Sequence, residues 1–175
     1  MNNLPKRKSL RLKNYDYSAN GAYFVTICTH EKKCILSTVG AIHESPEKYC
    51  VKLNRYGSIV RHYIKKSEKR FSVIIPEYVI MPNHIHLLIV VDNYDPERAI
   101  LESPLQSNRS QLSKIVGYIK MNTSKEIHQI NPDIKLWQRG YFDHVIRHEE
   151  DYCLHLQYIE ENPKKWLIGK DEYYA

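Results

Sequence analysis

The segment His84-Ile85-His86-Leu87-Leu88-Ile89-Val90-Val91 constrains this chain more than any other stretch. Apart from its two histidines it is wholly apolar, and it follows the turn signal Met81-Pro82-Asn83, so it reads as a β-strand. Strand side chains alternate with period two. His84 and His86 therefore point to one side, about 7 Å apart along the strand. Ile85, Leu87, Ile89 and Val91 point to the other side, where they can enter a core. Leu88 and Val90 continue the histidine face into apolar surroundings. Two imidazoles at this spacing can lean onto one ion, and imidazole suits manganese, zinc, iron or nickel better than magnesium. The plainer reading is a pair of histidines satisfied by hydrogen bonds, and nine histidines in the chain give a chance H-x-H some weight.

The flanking pattern predicts an α+β domain. Ala22–Cys28 is rich in β-branched and aromatic residues and reads as a strand. Residues 35–53 suggest an irregular hairpin. Tyr56, Ile59, Val60, Tyr63 and Ile64 share one face of a helix over 53–70, with Arg61 and the lysines largely on the other. Residues 73–80 read as a strand interrupted by Pro76. Residues 92–109 form a long polar loop. A helix is expected over 110–127, a short strand over 141–147 and a last helix over 149–162, stopped by Pro163. The order strand–helix–strand–strand–helix–strand–helix implies an antiparallel sheet with flanking helices. Residues 1–20 read as a basic N-terminal segment and 21–175 as a single domain.

Hydrophobic residues at 42% and charged residues at 26% fit an ordinary globular protein. No apolar run reaches the roughly 18 residues of a membrane span, and no h-region follows the basic start, so a cytoplasmic protein is expected. The net charge of +6 suggests a polyanionic partner. Lys6, Arg7, Lys8, Arg11 and Lys13 precede the first acidic residue, Asp16, and a second cluster holds Arg61, Lys65, Lys66, Lys69 and Arg70. On charge alone these could equally be two solvated surfaces. Cys28, Cys34, Cys50 and Cys153 form no C-x-x-C pair, which speaks against a zinc ribbon, and they read as reduced packing residues.

An ion held by two histidines needs a third ligand. Tyr158 and Asn162 lie four apart on the expected last helix and share a face. They sit beside an inward stripe of Tyr152, Cys153, Leu156 and Ile159, with His155 one turn earlier. The Asn162 amide oxygen could join the histidines, with the Tyr158 hydroxyl close by. Tyr118 and Asn122 have the same spacing on the earlier helix, and the chain holds 14 tyrosines. Spacing alone leaves the two pairs open.

The segments Tyr78-Val79-Ile80-Met81-Pro82-Asn83-His84-Ile85-His86, Leu136–Arg147 and Tyr158-Ile159-Glu160-Glu161-Asn162-Pro163 resemble the signature of the REP-associated tyrosine transposases. These belong to the HUH transposases that use a single tyrosine. The run Asn14-Tyr15-Asp16-Tyr17 and Gly21–Thr26 also fits, so the resemblance spans about Arg11 to Pro163. It implies a ferredoxin-like sheet with flanking helices. It implies that His84, His86 and Asn162 bind a divalent ion, magnesium or manganese. It implies that Tyr158, rather than Tyr118, is the nucleophile that forms a 5′-phosphotyrosine in single-stranded DNA near a hairpin. Lys6, Arg7, Lys8, Arg11, Lys13, Arg61, Lys65 and Lys69 are then expected on DNA phosphates, in a monomer or homodimer. His155 is a candidate base, but a helix-surface histidine is the simpler reading. Trp137 and Tyr141 could stack on unpaired bases, although core packing beside the last helix suits Trp137 better. The continuation Lys164-Lys165-Trp166 departs from the valine and small or basic run common after Asn-Pro in the family. Two alternatives remain: a hairpin-binding module without chemistry, and a metallohydrolase that activates water.

Overall fold

Strand β1 (Gly21–Cys28) pairs antiparallel with β5 (His84–Val91) on one side and with β6 (Phe142–Ile146) on the other, and β5 pairs antiparallel with β4 (Ile74–Ile80). The computed structural model describes residues 20–42, 45–91 and 110–169, and their side chains except at 42 and 45–48. The sheet order β4-β5-β1-β6 leaves β5 and β1 inside and β4 and β6 at the edges. This is why β1 and β5 are largely buried on both faces, Thr26, His84 and His86 included, while β6 keeps an exposed Phe142. The order and antiparallel pairing give the expected ferredoxin-like arrangement. β2 (Ser37–Ile42) and β3 (Ser45–Leu53) form the expected hairpin, with a register shift at Ala41/Ile42. The predicted interruption at Pro76 is also present: β4 shifts register between Ile74 and Glu77. A proline has no N–H for the ladder and is tolerated on such an edge strand.

Two helices cover one sheet face. Helix α1 (Arg55–Phe71) starts where the Asn54 side chain accepts the Gly57 N–H at 3.0 Å, and it ends at Ser72 in the left-handed region. Helix α2 (Gln111–Ile130) starts with Ser110 accepting the Ser113 N–H at 3.3 Å. Ile59, Val60 and Ile64 of α1 and Leu112, Ile115 and Ile119 of α2 join Val25, Ile27, Ile85, Leu87 and Ile89 of the sheet in the larger core. Each such buried aliphatic side chain stabilises the fold by about 1.5–3 kcal/mol.

Helix α3 (Glu149–Leu167) covers the opposite face together with the β2–β3 hairpin. Its Ile159 packs with Phe24, Val79, Met81 and Leu88, against Val39 and Val51 of the hairpin. Three expectations need correction here. The helix does not stop at Pro163 but runs through it to Leu167. The proline removes one backbone hydrogen bond, yet Pro163 is buried and the packing that follows it holds the last turn. Cys153 faces solvent rather than the core, and only Cys28 of the four cysteines is buried. Trp137 is buried beside α2 rather than the last helix, and its indole N–H donates to Thr123 Oγ1 at 2.9 Å. That burial removes it as a platform for unpaired bases.

Candidate active site

His84 and His86 lie on an interior strand, on the face covered by α3, and both are buried. Strand register puts Thr26 of β1 directly opposite His86. Thr26 Oγ1 lies 2.8 Å from His86 Nδ1. Asn83, in the turn before β5, holds its Oδ1 2.6 Å from His84 Nδ1. An amide oxygen only accepts, so His84 Nδ1 donates to it, and in the neutral ring the lone pair lies on Nε2. The two rings lean together to a centroid separation of 4.6 Å, closer than their positions along the strand. The Nε2 atoms of both rings are buried. Burial, and then the nearby His84 and His155, hold the His86 imidazole well below its ordinary pKa. It is therefore neutral at pH 7, which is the form that ligates a metal.

Helix α3 meets these rings along one stripe. The Tyr158 ring lies 5.2 Å from the His86 ring, and the Trp166 ring 6.1 Å from the His84 ring. Asn162 is four residues from each and so falls between them on the helix surface. It is fully buried, and neither its Oδ1 nor its Nδ2 has a hydrogen-bond partner among the described residues. Such a buried amide costs about 1–3 kcal/mol. Two imidazole nitrogens and an amide oxygen are a donor set that fits a divalent ion, and coordination would satisfy the Asn162 oxygen.

The second tyrosine pair lies elsewhere. Asn122 Nδ2 donates to the Tyr118 carbonyl at 2.8 Å, and the Tyr118 ring packs 5.6 Å from Phe71, under the Arg70 guanidinium at 5.2 Å. That is the α1–α2 side of the sheet. Arg61, Lys65 and Lys69 are exposed on α1, also on that side, so the structure does not bring them to the histidines. Lys65 pairs with Glu68 at 3.2 Å. Lys6, Arg7, Lys8, Arg11 and Lys13 lie outside the described residues, as does the loop 92–109.

Several site neighbours have no local signature in the sequence. Lys165 Nζ stands 4.7 Å over the Tyr158 ring and 3.0 Å from Glu161 Oε2. Phe24 stacks 5.0 Å from His86 and meets Tyr158 edge-on at 5.9 Å. The spacing of Lys165, seven residues after Tyr158, could have placed it on that side of a longer helix. The expected helix stop at Pro163 hid it, and Trp166 with it. His155 is not a simple surface histidine: it is half-buried, with Nδ1 3.1 Å from Asp151 Oδ1. With His144, these two form a group among the described residues that could hold a metal ion.

The chain belongs to the IS200-like transposase family, which matches residues 22–162. It is thus a member of an enzyme family. Within that family it resembles the REP-associated tyrosine transposases, as its motifs indicated. A candidate REP-associated tyrosine transposase of Haemophilus influenzae is 27% identical, over 88% of this chain and 77% of its own length. An uncharacterised protein of the same organism is 32% identical, over 91% of this chain and 89% of its own. The solved structure of a REP-associated tyrosine transposase bound to a REP hairpin shares the fold, with a TM-score of 0.55 at 20% identity, covering 89% of this chain and 74% of that one. Among the described residues, no helix is long and apolar enough to cross a membrane.

Proposed function

We propose that this transposase cuts single-stranded DNA through Tyr158, by a metal-dependent transesterification next to a hairpin. The observation that carries the reading is the contact of the Tyr158 ring with His86, at 5.2 Å, with the buried Asn162 amide one turn further along the same helix. His84, His86 and Asn162 would hold the ion. Bound there, a magnesium or manganese ion would supply positive charge to the scissile phosphate.

The chain's own groups do the rest. The Tyr158 oxygen attacks phosphorus, the bond from phosphorus to the 3′ oxygen breaks, and a 5′-phosphotyrosine forms. The phenol proton leaves to water, and the departing 3′ oxygen takes up a proton to become a hydroxyl. Attack by another 3′-hydroxyl reverses the step and rejoins DNA without ATP. The Lys165 ammonium, set over the phenol ring, favours the negative charge that develops on Tyr158. The hairpin bound by the structural relative supports hairpin DNA as the partner. The N-terminal Lys6, Arg7, Lys8, Arg11 and Lys13 would contact its phosphates, with strong salt dependence, while Arg61, Lys65 and Lys69 could meet only DNA that reaches round to the α1 side.

The test is a hairpin-bearing single strand incubated with the protein and manganese, followed by a denaturing gel. A covalent adduct is expected, lost in Tyr158→Phe and kept in Tyr118→Phe. An adduct that survives Tyr158→Phe refutes the assignment.

A further inference from the structure

A second group of ligating side chains stands apart from the histidine pair. His144 lies on the edge strand β6, opposite Phe24, and so on the sheet face that α3 covers. Asp151 and His155 are four apart in the first turns of α3 and share a face. Asp151 Oδ2 is 2.9 Å from His144 Nε2, and Asp151 Oδ1 is 3.1 Å from His155 Nδ1. The three ligand atoms lie within 4.8 Å of one another. The two imidazoles stack at 4.7 Å and 20°, so both present an edge to the same carboxylate. His155 Nδ1 also lies 2.8 Å from the Asp151 carbonyl, and Asp151 Oδ2 accepts the Arg147 N–H at 3.3 Å.

We propose that His144, Asp151 and His155 form a second divalent-cation site, for an ion of the zinc class, that clips helix α3 to strand β6. Two imidazole nitrogens and one carboxylate are the ligands such an ion prefers, and a tetrahedral zinc with bonds of about 2.0–2.2 Å places neighbouring ligands roughly 3.3 Å apart. The carboxylate–imidazole separations, one to each oxygen of Asp151, need only a few tenths of an ångström of opening, and the two imidazole nitrogens start within 4.8 Å of each other. On coordination each neutral imidazole carries its proton on the nitrogen that faces away from the ion, Nδ1 of His144 and Nε2 of His155, so a lone pair replaces the N–H at the ligating atom, and His155 gives up its bond to the Asp151 carbonyl. Burial pushes the Asp151 carboxyl up, but the His144 hydrogen bond and the Arg147 amide outweigh it, so the group stays below its ordinary value and ionised. His144 is half exposed, which leaves room for water as the fourth ligand. The Arg147 N–H supplies the outer hydrogen bond that orients a ligating carboxylate.

The clip acts on the helix that carries Tyr158. His155 packs 4.6 Å from Phe24, whose ring also meets His86 and Tyr158. An ion at His155 would fix the lateral position of α3 against that ring. The inference stands whether or not Tyr158 attacks DNA.

Zinc titration of the full chain followed by calorimetry separates the two sites. The His84→Ala/His86→Ala double variant is expected to keep one equivalent of zinc and to lose it when Asp151→Asn is added. Absence of zinc binding in the double variant, or its survival after Asp151→Asn, overturns the proposal. If the double variant fails to fold, zinc-soaked crystals of the unaltered chain decide. An anomalous peak at the zinc edge between His144 Nε2 and His155 Nδ1 is expected, and a peak only at His84 and His86, or none, overturns the site.

Discussion

Thr26 and His86 face each other across neighbouring antiparallel strands, and the threonine hydroxyl lies 2.8 Å from the imidazole Nδ1. With the stacked Phe24 ring, this contact positions the imidazole that Tyr158 touches. Thr26→Val keeps the shape and removes the hydroxyl. We expect manganese affinity, read by calorimetry, to fall 10–100-fold, the usual effect of losing a partner behind a metal-ligating histidine. Stability should fall by about 1–3 kcal/mol, because the buried imidazole nitrogen loses the hydroxyl. Thr26→Ser should restore binding. Unchanged affinity in Thr26→Val would remove this hydroxyl from the site.

Asn162 predicts a conflict between stability and activity. Its amide is fully buried without a hydrogen-bond partner among the described residues. Asn162→Leu should therefore leave the metal-free protein at least as stable in urea unfolding, with a gain of up to about 1–3 kcal/mol. The same variant should lose the metal-dependent adduct. A marked loss of stability without metal would mean that the amide serves the fold.

The depressed His86 pKa sets a pH dependence. Its folded value lies well below the unfolded value near 6.5, because burial and the neighbouring His84 and His155 oppose the charge. Below about pH 6.5 the unfolded chain binds a proton that the folded chain refuses, so stability falls as pH drops and is recovered above that value. Urea unfolding at pH 5 and 7.5 should show this difference, and His86→Gln should reduce it. An equal slope in the variant would assign the effect to other groups.

Gly57 admits no side chain. A Cβ there would collide with the Leu36 carbonyl, where the chain entering β2 crosses the first turn of α1. Gly57→Ala should destabilise the protein by about 1–3 kcal/mol in thermal unfolding, although alanine is the better helix former. A stability equal to the parent would show that the strand can yield.

Local patterns made much of this fold legible. The alternation in His84–Val91 predicted which residues enter the larger core, and the apolar stripes predicted α1 and α2. The position of Tyr158 beside His86 followed from helical spacing joined to a family resemblance, not from spacing alone, since Tyr118 has the same relation to Asn122. The errors share a cause. Pro163 breaks a helix locally, but tertiary packing carries α3 past it and so brings Lys165 and Trp166 to the site. Thr26 and His86 are sixty residues apart and meet only through strand register. His144 reaches Asp151 and His155 from a separate strand, which no linear motif announces.

Because β5 is hydrogen-bonded on both flanks, the imidazoles ride on a strand that two neighbours hold. The tyrosine rides on a helix joined to the sheet by a two-residue turn at Arg147 and His148. If Tyr158 attacks DNA as proposed, any step that separates the phenol from the histidines must therefore shift the helix and not the strand.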